Sequence, residues 1–128
     1  MHLGWLISNN LSGTNPITPS LITFPSSGIW LLSYSVRALP PSGSVTITRF
    51  YTSVTLTING SSTMNLAPVE ISASQTIVYN QNYMSNSASL IINVPTITST
   101  TNATLANTIA GGTTTCDNGS IFQIVRIA

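Results

Sequence analysis

Gly28-Ile29-Trp30-Leu31-Leu32-Ser33-Tyr34-Ser35-Val36-Arg37-Ala38 is the stretch on which the fold turns. Every second residue, Trp30, Leu32, Tyr34, Val36 and Ala38, is apolar or aromatic, while the intervening set passes from Ile29 and Leu31 to Ser33, Ser35 and Arg37. A period of two puts the first set on one face of a β-strand and the second on the other. Pro40-Pro41-Ser42-Gly43 then supplies the residues of a turn.

The same period recurs outward from this strand. Val45 and Ile47 alternate on odd positions and Val54, Leu56 and Ile58 on even ones, with threonines between them. A one-residue slip exchanges the faces of a strand, so a bulge or loop is expected at Arg49 to Thr52, and a tight turn at Asn59-Gly60. Further strands are expected at 69–72, 75–79, 88–94 and 120–127. Their even spacing predicts an all-β sandwich or barrel, with residues 1–22 as an N-terminal strand or arm. Residues 96–119, rich in Thr and Asn, are expected to form a long loop, in which Leu105 and Ile109 suggest that part packs.

The closing strand is apolar on both faces, with Ile121, Val125 and Ile127 on one and Phe122 and Ile124 on the other. The opposite sheet can cover one face only. A neighbouring subunit is the expected cover for the second.

The chain has 128 residues, enough for one domain spanning 1–128, and only 4% of them are charged where about a quarter is usual. Arg37, Arg49, Arg126, Glu70 and Asp117 are the whole charged set, with His2 the sole histidine. A surface of Ser, Thr and Asn has little repulsion to keep copies apart, so self-association is expected. Three scattered arginines do not make a phosphate track, which excludes nucleic acid as the expected partner. No apolar run is long enough to span a membrane, and Met1 to Ile7 lacks a basic region and the apolar run of a secretion signal. The chain therefore reads as soluble, with no membrane partner.

Catalysis finds few groups to work with. A Ser–His–Asp set would need His2 and Asp117, and a carboxylate pair would need Glu70 with Asp117 from distant segments. Gly111-Gly112 lacks the lysine and helix of a phosphate loop. Two carboxylates fall short of a calcium site, and a lone Cys116 makes neither an internal disulfide nor a thiolate metal centre. Cys116 is either a half-buried loop residue or a bridge across a symmetry axis. The expectation is a non-enzymatic protein with no cofactor and no metal. Sequons at Asn10, Asn59, Asn102 and Asn118 are about what 12 Asn among 38 Ser and Thr produce by chance. The best ligand-binding candidate is Tyr79-Asn80-Gln81-Asn82-Tyr83, two aromatics around three amides, suited to stacking on a sugar ring and pairing with its hydroxyls.

The run from Phe24 to Val36, with Pro25-Ser26-Ser27-Gly28 before the alternating strand, resembles the central strand signature of the complement globular head and tumour necrosis factor-like superfamily. Leu56-Thr57-Ile58-Asn59-Gly60 and Gly119-Ser120-Ile121-Phe122-Gln123-Ile124-Val125-Arg126-Ile127 also look like that family, in its order and spacing. The resemblance covers about Thr23 to Ile127. It is greatest to the trimeric heads on viral and bacterial-spore surfaces. Trp30 stands where the family usually has Tyr or Phe, and Tyr79 to Ser89 has no counterpart.

The resemblance implies a jelly-roll β-sandwich of roughly eight to ten antiparallel strands in a compact homotrimer, with Trp30, Leu32, Tyr34, Phe122 and Ile124 as trimer or core residues. The functional expectation is a structural or decoration protein of a virion exterior, its partners being its own copies and other surface or capsid proteins. The rival expectation is a glycan- or receptor-binding head of a viral fibre or of a collagen-like filament on a bacterial spore or cell surface, which predicts Gly-X-Y repeats upstream.

Overall fold

The computed structural model describes residues 4–14, 20–58, 60–95, 97 and 101–128, by backbone alone at 12–14, 61–64 and 116–119. Ten strands lie within these residues: β1 (Leu6–Thr14), β2 (Ser20–Thr23), β3 (Gly28–Leu39), β4 (Ser44–Ile47), β5 (Arg49–Ile58), β6 (Ser61–Ile71), β7 (Gln75–Val78), β8 (Met84–Val94), β9 (Asn102–Ala110) and β10 (Thr115–Arg126). They form two antiparallel four-stranded sheets, β1-β10-β3-β8 and β2-β9-β5-β6, and a two-stranded ribbon of β4 and β7. The first and last long strands are thus neighbours, and the fold is an all-β jelly-roll sandwich.

β3 has the facing its alternation predicts. Trp30, Leu32, Tyr34, Val36 and Ala38 are all buried, and every outward residue between Leu31 and Leu39 is half-buried. Facing them from the second sheet are Phe50, Val54, Leu56, Ala103 and Leu105. Gly28 opens β3 at φ +138, where an added Cβ would lie 2.6 Å from Arg126 Nε and 2.7 Å from the Ala128 carbonyl. The backbone ties of Ile29 to Ala128 and Ile127 need that close approach.

Three expectations change. The face switch after Ile47 is made one residue early, by a bend at Thr48 that moves the chain from the β4–β7 ribbon into the second sheet. The ladder of β5 and β6 slips again between Thr52 and Val54, opposite Ala67 at φ 49 and Pro68. β6 is an edge strand, where a proline and an irregular ladder are tolerated.

The second change concerns residues 96–119, which are not one long loop. β9 occupies Asn102–Ala110 and pairs with both β2 and β5, and β10 begins at Thr115, five residues before the expected start. The inward positions of β9 are Ala103, Leu105 and Asn107, a small, a large and a polar residue, so its apolar alternation is faint. Gly111, at φ +107, turns the chain beneath the bend, where a Cβ would lie 2.6 Å from the Thr46 carbonyl. The third change is length, since β6 and β8 begin at Ser61 and Met84 rather than near Val69 and Ala88. Ile58 pairs with Ser61 and Gly60 has φ 82, the expected two-residue hairpin, although Asn59 lies outside the described residues. His2 and residues 15–19 also lie outside them, as do the side chains of Cys116, Asp117 and Asn118.

A polar row crosses the interior. Tyr34 Oη donates to the Ala67 carbonyl, Thr52 Oγ1 donates to Asn107 Oδ1, and Asn86 Nδ2 donates to the carbonyls of Phe50 and Val69 at 3.2 Å each. Asn86 stands on β8, at the edge of the first sheet, and its acceptors on β5 and β6, so it fastens the two sheets along one side. Burial pushes the Tyr34 phenol up to about 12, and the Tyr51 phenol adds to the rise. An unfolded tyrosine ionises near 10, so the neutral phenol's stabilisation is complete below that pH and is lost as pH climbs towards 12. Alkaline melting curves are expected to show Tm falling through this interval, by an amount equivalent to about 2 to 3 kcal/mol, with a flatter decline in Tyr34→Phe.

Candidate interaction surfaces

In an antiparallel ladder, paired residues share a face. Leu6 pairs with Val125, Val125 with Leu31, and Leu31 with Ile91, so one apolar row runs across all four strands on the outer face of the first sheet. Leu6 and Ile91, at the two ends, are 54% and 64% exposed. The Ile127 amide donates to the Ile29 carbonyl, which sets those two exposed residues beside each other as a second, shorter row. The next row is polar, Ser8, Gln123, Ser33 and Ser89, and the one after it, Asn10, Ile121, Ser35 and Ser87, is polar except for Ile121. Ser33, Ser35, Ser87, Ser89 and Ile121 line an open groove of 440 Å³.

The residues assigned to trimer or core lie on the opposite, inward face of the same sheet. Trp30, Leu32, Tyr34, Phe122 and Ile124 are buried inside one chain, and none is presented to a neighbour. Their outward-facing counterparts Leu31, Ile121 and Val125 are the half-buried ones, with Ile127 exposed, as the doubly apolar closing strand predicts. The missed residues are Leu6 and Ile91. Ile91 sits within the run Leu90-Ile91-Ile92, whose lack of alternation is the available signal.

The second surface is the turn between β7 and β8. The Gln81 and Asn82 amides donate to the Val78 carbonyl at 3.0 and 3.2 Å. Asn82 Oδ1 accepts from the Val78 amide at 2.6 Å, so its side chain closes the turn. Asn80 occupies the left-handed region at φ 60, which asparagine tolerates. Tyr79 and Tyr83 are 51% and 50% exposed, and Asn80 and Gln81 are exposed between them. The Arg37 guanidinium lies 4.8 Å from the centre of the Tyr83 ring.

On the outside of the other sheet, Arg49 Nε donates to Glu70 Oε1 at 2.6 Å and the guanidinium lies 5.1 Å from the Tyr51 ring. Both charged side chains are well exposed, and such a pair contributes little to stability. Among the described residues no three His, Cys, Asp or Glu side chains gather as metal ligands. Nor is any helix of the described residues long and apolar enough to cross a membrane.

No family model matches the sequence, and no curated protein matches it. The solved structure of Eiger TNF from S. frugiperda is similar, with a TM-score of 0.60 at 12% identity over 98% of this chain and 89% of that one. The chain therefore has a tumour necrosis factor-like jelly-roll fold, the architecture that the motifs around Gly28 and Phe122 imply.

Proposed function

We propose that this chain is a non-enzymatic building block that self-assembles into a homotrimer through the outer face of the β1-β10-β3-β8 sheet. The observation that carries this reading is the uncharged apolar row Leu6, Val125, Leu31 and Ile91, flanked by Ile29 and Ile127. Strand spacing makes the two rows only roughly 15 Å by 10 Å, too small for a stable contact alone. The whole face, roughly 20 Å by 30 Å, approaches the about 800 Å² per partner of a standard interface. Its serine and glutamine rows suit that use because neutral side chains cost little to desolvate compared with charges. The setting we propose is the exterior of a virion, where copies contact one another and other capsid or surface proteins. A scarcity of charge makes such assembly insensitive to salt.

Native mass measurement at micromolar concentration is expected to give a trimer. Leu31→Ser combined with Ile91→Ser is expected to weaken association at least 100-fold while leaving the far-ultraviolet dichroism unchanged. A wild-type monomer would sink the assembly, and labelling of intact particles tests the setting separately.

A further inference from the structure

We infer that the β7–β8 turn is a binding site for neutral hexopyranose sugars, with Tyr83 and Tyr79 as stacking surfaces and the amides of Asn80 and Gln81 as hydroxyl partners. This inference is independent of the assembly, because the turn is complete within one chain. Of the four tyrosines, Tyr34 is buried in the polar row and Tyr51 is half-buried beneath Arg49. Tyr79 and Tyr83 alone hold half their surface in water. Each carries a flat apolar body and a polar tip, which matches the carbon–hydrogen face and hydroxyl rim of a pyranose. A side-chain amide offers a donor and an acceptor side by side, the pairing that adjacent sugar hydroxyls require.

The turn is also held ready for a ligand. Its start is tied to the β3–β4 connection by the Tyr79 amide donating to the Gly43 carbonyl at 2.8 Å. Its middle is closed by the three contacts of Asn82 and Gln81 with Val78. At its end Arg37 lies over Tyr83 and steadies that ring. Little conformational freedom then remains to be lost on binding, and tyrosine loses little in any case, having two side-chain torsions. The groups that would meet the sugar, two primary amides and two phenols, are neutral, and the Arg37 guanidinium is engaged with the Tyr83 ring, which is why the inference names a neutral sugar. Asn82 is not part of the site, since its oxygen and the Val78 amide satisfy each other.

An exposed turn encloses little of a ligand and binds weakly, so single-site affinity in the range of about 0.1 to 1 mM is expected. The wild-type protein would be screened on an array of neutral and acidic oligosaccharides, and the methyl glycoside of the strongest hit followed by saturation-transfer NMR. The expected result is binding to neutral glycans, with transfer to ring hydrogens lost at least tenfold in Tyr83→Ala. Tyr79→Ala and Gln81→Ala are expected to weaken it three- to tenfold, and Tyr51→Ala on the opposite sheet to leave it unchanged. All four positions lie outside the buried core, and melting curves identify any variant that fails to fold, in which case the remaining pair at the turn decides. An array silent for the wild type, binding confined to acidic glycans, or binding unchanged in the turn variants would overturn the inference.

Discussion

Trp30→Ala is expected to lower stability by about 3 to 5 kcal/mol, the range of a large aromatic removed from a core that cannot collapse around the void. Trp30 is the largest fully buried side chain, packed edge-on against Phe24 at a centroid distance of 5.6 Å and tilted against Trp5 at 6.3 Å. Its indole Nε1–H donates to the Ser26 carbonyl at 3.2 Å, so truncation also removes a partner from the turn that leads into β3. Trp30→Phe retains most of the volume and loses only the indole hydrogen bond and part of the ring, so a smaller loss, about 1 to 2 kcal/mol, is expected there. Urea titration of both variants checks the pair. Equal losses would mean that the hydrogen bond to Ser26, and not the packed ring, carries the contribution.

Asn86→Asp is the second large effect. The Asn86 amide nitrogen faces the carbonyl oxygens of Phe50 and Val69 and the Thr52 hydroxyl, the last at 3.1 Å, and the residue is 1% exposed. Exchanging that nitrogen for a carboxylate oxygen sets an unpaired negative charge against oxygen acceptors, at a cost of about 3 to 5 kcal/mol at neutral pH. The folded state then holds the carboxyl protonated, with its pKa above the unfolded value. Stability is therefore expected to be greatest below the ordinary carboxylate range, near pH 4, and to fall as pH rises. Asn86→Leu, which removes the donor to two carbonyls without adding charge, is expected to cost about 2 to 4 kcal/mol with no such pH dependence. Thermal melts of the two variants at pH 3.5 and pH 7 separate charge from hydrogen bonding.

Asn86 matters because the polar row to which it belongs joins the two sheets along one side of the sandwich. Among the described residues Asn86 Oδ1 has no hydrogen-bond partner, while its nitrogen serves acceptors on β5 and β6. An all-apolar row would bury more hydrocarbon, yet it would not specify which residues of β8 stand against β6. The amide and the Tyr34 hydroxyl do, because each reaches a carbonyl near the irregularity at Ala67 and Pro68. A one-residue slip there would break them.

From composition and period alone came the all-β class, the inward set from Trp30 to Ala38, the hairpin at Gly60 and the two apolar faces of β10. These are local properties, since the alternation of side chains along a strand is dictated by backbone geometry. The jelly roll followed from the Gly28 and Phe122 motifs by resemblance, and Tyr79 to Tyr83 stood out by composition. Tertiary structure alone decided the rest. β9 is strand because β2 and β5 supply its hydrogen bonds and Thr52 satisfies Asn107, neither of which is a property of a Thr- and Asn-rich sequence. Asn82 leaves the proposed sugar site because the turn needs its oxygen. The outer apolar row exists because four ladders set Leu6, Val125, Leu31 and Ile91 in line, and register between distant strands is fixed by packing and pairing that no single segment contains.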